Sequence, residues 1–143
     1  MIAEMRKTYL LAAVAVVALI GYYVAGQLSE QSKTCAPIGV ATRVVVHLSS
    51  QGINTSSDRL LTDPEQISQL TAFANARRKC SQPSTYTMPA PQVDAVFYDK
   101  AEYLGSIGSG PNFFFVGCQN WRGIRSAKDS ELKDFERLTG GMN

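Results

Sequence analysis

The hydrophobic residues of this chain form one long block near the N-terminus, followed by shorter segments with strand-like or helical spacing. The block, residues 9–26, begins at Tyr9, ends at Gly26 and contains no charged side chain. As a helix it would be about 27 Å long, close to the bilayer hydrocarbon core of about 30 Å. The pattern predicts an N-terminal transmembrane anchor over residues 1–26 whose apolar block contacts membrane lipid.

The charges beside the block set its predicted orientation. Arg6 and Lys7 precede it, and by the positive-inside rule they keep the N-terminus in the cytoplasm. A cleaved signal peptide is the alternative, but its apolar core is usually about 7–15 residues long, and this block is longer. We expect a single-pass protein of the cytoplasmic (inner) membrane, with a tether over residues 27–36 and a periplasmic or extracellular domain over residues 37–143.

The domain opens with a segment of alternating β-branched residues. Residues 39–49, GVATRVVVHLS, are typical of a strand, because β-branched side chains pack well on a pleated surface. A short partner strand is expected over residues 59–62. Alternation predicts a core face made of five residues of the first strand: Val40, Thr42, Val44, Val46 and Leu48.

Two segments have helical spacing. Residues 62–80 predict a helix capped by Thr62 or by Asp63, with an apolar stripe that faces the core. Its basic end, Arg77 to Lys79, is expected to be solvated, since cations suit the negative end of the helix dipole. A second helix is predicted over about residues 127–139, stopped by the glycine pair that follows it.

Between the helices the pattern predicts a meander of strands. Strands are expected over residues 92–98, 103–107 and 112–118, with a fourth over residues 121–125, and residues 81–91 form a proline-rich irregular connection. Hairpin-connected strands with two helices indicate an α+β fold. The prediction is a transmembrane helix followed by a two-layer sandwich, in which two helices pack on a mostly antiparallel sheet of four to six strands.

Composition narrows the function classes. The chain has 143 residues, 45% of them hydrophobic and 18% charged, with a net charge of +2, which is typical of a folded protein and gives no reason to expect a nucleic-acid partner. The three cysteines allow at most one internal disulfide. Counting strand directions favours a bond between Cys35 and Cys118 and leaves Cys80 at the other end of the domain. The cysteine spacing fits no metal or redox motif, so no metal or cofactor is expected.

Catalytic chemistry has little support in the sequence. His47 is the only histidine, and we expect a structural role for it. A nucleophilic pair of His47 with Cys80 or Cys118 is the enzyme alternative, a small thiol enzyme, although no local motif surrounds either cysteine.

The run Phe113 to Phe115 carries the one prediction of a binding surface. Consecutive strand residues point to opposite faces, so at least one ring points away from the helices. Either all three rings are buried in the core, or part of the run belongs to an exposed apolar patch for a protein partner. The residues of this predicted partner surface are Phe114, Val116, Tyr98 and Trp121, with Arg122 and Arg125 as a polar rim.

The segments LTDPEQI (61–67), FANAR (73–77) and VFY (96–98), followed by Leu104-Gly105 and by GPNFF (110–114), resemble small bacterial membrane-anchored or exported α+β proteins without an assigned function. The likeness extends over about residues 40–138 and implies an envelope location. The expected function is that of a binding or structural accessory protein of the envelope. A secreted or periplasmic inhibitor or immunity-type protein is the alternative, with residues 106–112 as its protruding loop.

Overall fold

The computed structural model describes residues 14–23, 34–49, 56–83 and 90–140. The chain divides into two compact units, Met1–Ser32 and Lys33–Asn143. In the first unit, residues 14–23 form helix α1, whose valine and leucine side chains are exposed. No helix among the described residues is long and apolar enough to cross a membrane. The rest of the apolar block, residues 9–13 and 24–26, and the predicted tether up to residue 33 lie outside the described residues.

The described residues of the second unit form seven strands. Their bounds are β1 (Arg43–Ser49), β2 (Ser56–Leu61), β3 (Gln82–Pro83), β4 (Val93–Asp99), β5 (Glu102–Ser109), β6 (Phe113–Cys118) and β7 (Trp121–Ser126). All pairings are antiparallel, and the order across the sheet is β2-β1-β4-β5-β6-β7-β3. The predicted meander is therefore the centre of the sheet. The strand number exceeds the predicted four to six, because residues 82–83 of the connection pair with β7.

Helix α2 (Pro64–Asn75) follows β2, and helix α3 (Asp129–Thr139) follows β7. Asp63 caps α2 by accepting a 2.9 Å hydrogen bond from the Gln66 amide, so the second of the two predicted cap positions is correct. α2 is shorter than predicted and ends before the basic triplet. Gly140 ends α3 in a left-handed conformation with φ of 94°.

One face of the sheet is covered by α2 and α3, and the core lies between this helix-covered face and the two helices. Its buried members include Ile67 and Leu70 from α2, Phe135 and Leu138 from α3, and Val44, Val46, Phe97, Ile107 and Phe114 from the strands. The predicted two-layer α+β sandwich is confirmed. Of the predicted core face of β1, Val44 and Val46 are buried, whereas Val40 is 85% exposed because the strand begins only at Arg43.

Candidate functional site

The apolar centre of the predicted partner surface lies in the core. Phe114 and Val116 are both 0% exposed, so the prediction of an exposed patch at these two residues is wrong. The ring centroid of Phe114 lies 5.7 Å from that of Phe73 and 5.6 Å from that of Phe135. Alternation along β6 places Phe114 on the opposite face from Phe113 and Phe115. It does not tell which of these two faces contacts the helices. Packing against α2 and α3 decides that.

Two further members of the predicted surface share the helix-covered face with Phe114. In the register of β6 and β7, Arg125 lies opposite Phe114 and Trp121 opposite Cys118. Trp121 is half-buried against the cysteine cluster, and Nη2 of Arg125 lies 3.4 Å from Oε1 of Glu131 in α3. Trp121 therefore packs against the cysteine cluster, and Arg125 links the sheet to α3.

Tyr98 and Arg122 lie on the second face of the sheet, opposite the helices. The Arg43 guanidinium lies 4.8 Å from the centroid of the Tyr98 ring, and Nη2 of Arg122 lies 3.4 Å from Oδ2 of Asp94. These two residues are partly or fully accessible. The six predicted residues thus do not form one surface, because the sheet separates them.

A polar row crosses the second face beside Arg122. In register, Asp58, His47 and Asp94 are neighbours on three adjacent strands, and Nδ1 of His47 lies 2.6 Å from Oδ1 of Asp58. Burial raises the pKa of Asp94, and the charges of Arg122 and His47 offset part of that rise. The row can orient an imidazole, but the structure brings no cysteine to it.

The cysteines lie on the helix-covered face. Cys80 packs with Cys35 and Val116, whereas His47 pairs with Asp58 on the second face. The thiol-enzyme alternative requires His47 beside a cysteine sulfur, and the sheet lies between them.

The disulfide between Cys35 and Cys118 is present, as predicted, with Cα atoms 5.7 Å apart and 83 positions between the two residues in sequence. It joins the segment that enters the domain to the last residue of β6. Hydrogen bonds to the end of α2 hold the same segment. The Cys35 amide donates to the Arg78 carbonyl at 3.0 Å, and the Ile38 amide donates to Oδ1 of Asn75 at 2.7 Å.

The prediction that Cys80 lies at the other end of the domain is wrong. Cys80 is a free, fully buried thiol in the same cluster as the disulfide. The prediction assumed that the helix runs along the strands to the far end of the sheet. Instead, α2 ends beside residues 35–38. Burial raises the pKa of Cys80 to about 11, although the charges of Arg78 and Arg125 act in the opposite sense.

The basic triplet after α2 is not a solvated helix end. Only Lys79 is exposed. Arg77 lies over the Phe73 ring, 3.5 Å from its centroid, and its Nε donates to Oε1 of Glu131 at 3.0 Å. Arg78 is 4% exposed and is the most deeply buried charged side chain among the described residues. Nothing in the sequence distinguishes these three cations, since their burial depends on where the chain turns after Asn75.

The Arg78 guanidinium is held by backbone carbonyls. Its Nε donates to the Ala36 carbonyl at 3.0 Å and its Nη1 to the Ser106 carbonyl at 3.4 Å. Within the described part of the chain no carboxylate pairs with it. Burial lowers the pKa of Arg78, and Tyr103 and Cys80 oppose that shift. The side chain is therefore a buried cation without a described counter-ion.

Arg78 lines a cavity of about 350 Å³ at this end of the sheet. Pro37 and Leu104 form apolar parts of its wall, and the turn Gln119-Asn120 between β6 and β7 also lines it. A second groove of about 450 Å³ runs beside α2 between Val40 and Thr71. Of these two cavities among the described residues, the first has a buried charge in its wall, so it is the candidate functional site.

No known protein family matches the sequence, and neither a curated protein nor a solved structure shows significant similarity to the chain. The candidate site therefore rests on the geometry of this chain alone.

Proposed function

We propose that this protein is a membrane-anchored, extracytoplasmic accessory protein of the bacterial envelope that acts by binding. The N-terminus lies in the cytoplasm, residues 9–26 cross the inner membrane, and the α+β domain faces the periplasm or the exterior. The resemblance of the sequence to small bacterial anchored or exported proteins agrees with this proposal.

The disulfide between Cys35 and Cys118 is the observation that carries the proposal. Disulfides form and persist in oxidising compartments and are rare in the cytosol. This bond lies a few residues after the apolar block, at the entrance to the domain. An exported domain with its cystine next to the membrane tether agrees with both features.

Two observations bear on the rivals. Residues 102–109 are strand β5, and Ser106 to Gly110 are buried, so the segment suggested for an inhibitor loop is largely core. The thiol-enzyme rival needs His47 beside a cysteine sulfur, but Cys80 packs with Cys35 and Val116 while His47 pairs with Asp58 on the opposite face of the sheet. Binding at a cavity is the function that the remaining geometry supports best.

A pair of valine substitutions tests the anchorage. Val17 and Val40 are both exposed, one in α1 and one in the domain. A charged residue at the centre of a membrane helix costs about 2.5–3.5 kcal/mol, so we expect Val17→Arg to release the protein from membranes in alkaline extraction. Val40→Arg, the matched control, should remain in the membrane fraction with the unaltered protein.

The same preparation decides between an anchor and a signal peptide. Mass spectrometry of the membrane fraction should find the N-terminal block still attached to the domain. If the wild-type protein is soluble and begins after Gly26, the N-terminal block is a cleaved signal peptide and not an anchor. A cytoplasmic location of the domain would overturn the proposal.

A further inference from the structure

The charge balance around Arg78 is the starting observation. Three arginines lie around one end of α2 and β7, and the single carboxylate Glu131 pairs with both Arg77 and Arg125. Arg78 and Arg125 also act together electrostatically on Cys80. The third arginine, Arg78, is 4% exposed and has no carboxylate partner among the described residues.

Burial of that charge is expensive. Removing a cation from water is unfavourable unless the cation is paired, and hydrogen bonds to carbonyls offset only part of that cost. The two carbonyl bonds use Nε and Nη1. No described residue accepts a hydrogen bond from Nη2, so within the described part of the chain this nitrogen has N–H groups that a ligand could bond.

The guanidinium of Arg78 fits against β5 because residue 105 is a glycine and has no side chain. A Cβ atom on Gly105 would lie 2.9 Å from Nη2 of Arg78 and 3.3 Å from Cγ1 of Ile38. The guanidinium therefore lies against bare backbone of β5, at the wall of the 350 Å³ cavity. Arg78 therefore lies beside a cavity and has N–H groups that no described residue bonds. These are features of a binding site for a ligand that accepts hydrogen bonds.

We propose that this cavity binds the oxyanion group of a small amphiphilic molecule, with Arg78 as its charge partner. The Arg78 donors would contact a phosphate or carboxylate, the Gln119 and Asn120 amides lie at the wall to bond its polar part, and Pro37 and Leu104 contact an apolar portion. The cavity volume suits a ligand of small-molecule size.

The inference deepens the proposed function, because it names the ligand chemistry of the binding activity on which that proposal rests. Two sources can supply the same oxyanion, a soluble molecule or the headgroup of an anionic lipid. Anchorage and anion binding are measured separately. The protein can be membrane-anchored without this site, and the site can exist in a chain whose N-terminal block is cleaved.

The test uses the full chain in micelles of a non-ionic maltoside detergent and follows the Nε–H resonance of Arg78 by nuclear magnetic resonance. Sodium phosphate and hexyl phosphate are titrated against sodium chloride at matched ionic strength. We expect a saturable shift with the phosphates that chloride does not produce, and tighter binding of hexyl phosphate because of its apolar chain.

A charge placed at the cavity wall provides the matched comparison. Asn120→Asp adds a carboxylate in the turn at the cavity and should weaken phosphate binding about tenfold by like-charge repulsion. Asn112→Asp adds the same charge in the exposed turn at the other end of β6 and should leave the binding unchanged. Both asparagines are exposed, so neither variant threatens the fold.

A separate experiment tests whether an anionic lipid headgroup supplies the oxyanion. The full chain is reconstituted in bicelles of phosphatidylcholine alone or mixed with phosphatidylglycerol. A shift of the Arg78 resonance that needs phosphatidylglycerol and is lost in Asn120→Asp supports the site with a lipid headgroup as ligand. The same dependence on phosphate or hexyl phosphate supports it with a soluble one.

Removal of the charge gives a second measurement. Arg78→Gln keeps a donor for the Ala36 carbonyl, and its melting temperature should no longer rise with phosphate relative to chloride. If this variant does not fold, the comparison of Asn120→Asp with Asn112→Asp decides. The proposal is overturned if no probe shifts the Arg78 resonance, or if the two asparagine variants respond alike.

Discussion

Arg78 can lie against β5 because residue 105 has no side chain. Gly105 has a φ of 150°, and a Cβ there would also lie 3.1 Å from the carbonyl oxygen of Gly117. Residues other than glycine rarely adopt this conformation. One backbone position thus fixes how closely the buried cation approaches the sheet.

We expect Gly105→Ala to lower the free energy of unfolding by about 1–3 kcal/mol, through backbone strain and contact with the guanidinium. Gly39→Ala is the control, because a Cβ at Gly39 meets nothing within 4 Å and its φ is ordinary. That substitution should be neutral or slightly stabilising. Urea unfolding of the two variants measures the difference, and equal stability would refute the close approach at Gly105.

Cys80 is buried and its pKa is raised to about 11, so its thiolate is scarce at neutral pH. We expect iodoacetamide at pH 8 to leave the native protein unmodified. Unfolding without reductant should expose one reactive thiol, and unfolding with reductant should expose all three cysteines.

Ser57→Cys, at an exposed position of β2, supplies the control for reagent access and should be labelled in the native state. Mass spectrometry counts the labels. Labelling of three thiols in the unreduced, unfolded protein would contradict the disulfide, and rapid labelling of the native wild type would contradict the burial of Cys80.

At the scale of the elements, the carboxylate of Glu131 in α3 links this helix to β7 and to the segment that follows α2. Oε2 of Glu131 accepts a 3.0 Å hydrogen bond from the Lys128 amide at the start of α3, while Oε1 accepts from Arg77 and Arg125. The backbone hydrogen bond is the largest cause that lowers the pKa of Glu131, followed among the favourable contributions by the two arginines.

Because folding lowers this pKa, the stabilisation is present above the ordinary pKa of glutamate and is lost as pH falls through the folded value. We expect Glu131→Gln to cost about 1–2 kcal/mol at pH 7, and the difference from wild type to shrink towards acid pH. Glu136→Gln, an exposed acid of the same helix, should cost little at any pH. Denaturant unfolding across pH measures both, and a pH-independent loss in Glu131→Gln would exclude the charge as its cause.

Across the whole molecule, the disulfide connects the first residues of the domain with the centre of the sheet. Cross-linking residues 83 positions apart restricts the unfolded chain, and removing such a bond typically costs about 2–5 kcal/mol. We expect the double variant Cys35→Ser, Cys118→Ser to lose stability in this range.

Reductant provides the control for that prediction. Wild type with dithiothreitol should unfold at the same denaturant concentration as the double variant, and the variant itself should not respond to dithiothreitol. Equal stability of the oxidised wild type and the variant would show that the bond does not hold the entering segment.

Local order along the chain could be predicted from the sequence. The β-branched alternation of residues 43–49, a cap of α2 at Thr62 or Asp63 and the glycine end of α3 each depend on neighbouring residues. The strands, the helices and the sandwich class therefore follow from the pattern, and the structure selects Asp63 as the cap. The pairing of Cys35 with Cys118 could also be predicted, because the positions of these two cysteines depend only on the directions of the strands in a simple meander.

The tertiary structure alone decided which side of each element is buried and what lies beside it. Alternation is equally satisfied by either parity, so only the helices could place Phe114 in the core. The course of α2 brought Cys80 to the disulfide, and the turn after Asn75 buried Arg78 while leaving Lys79 exposed. Burial is a property of contacts between residues distant in sequence, and for that reason three adjacent cations with the same local pattern have three different environments.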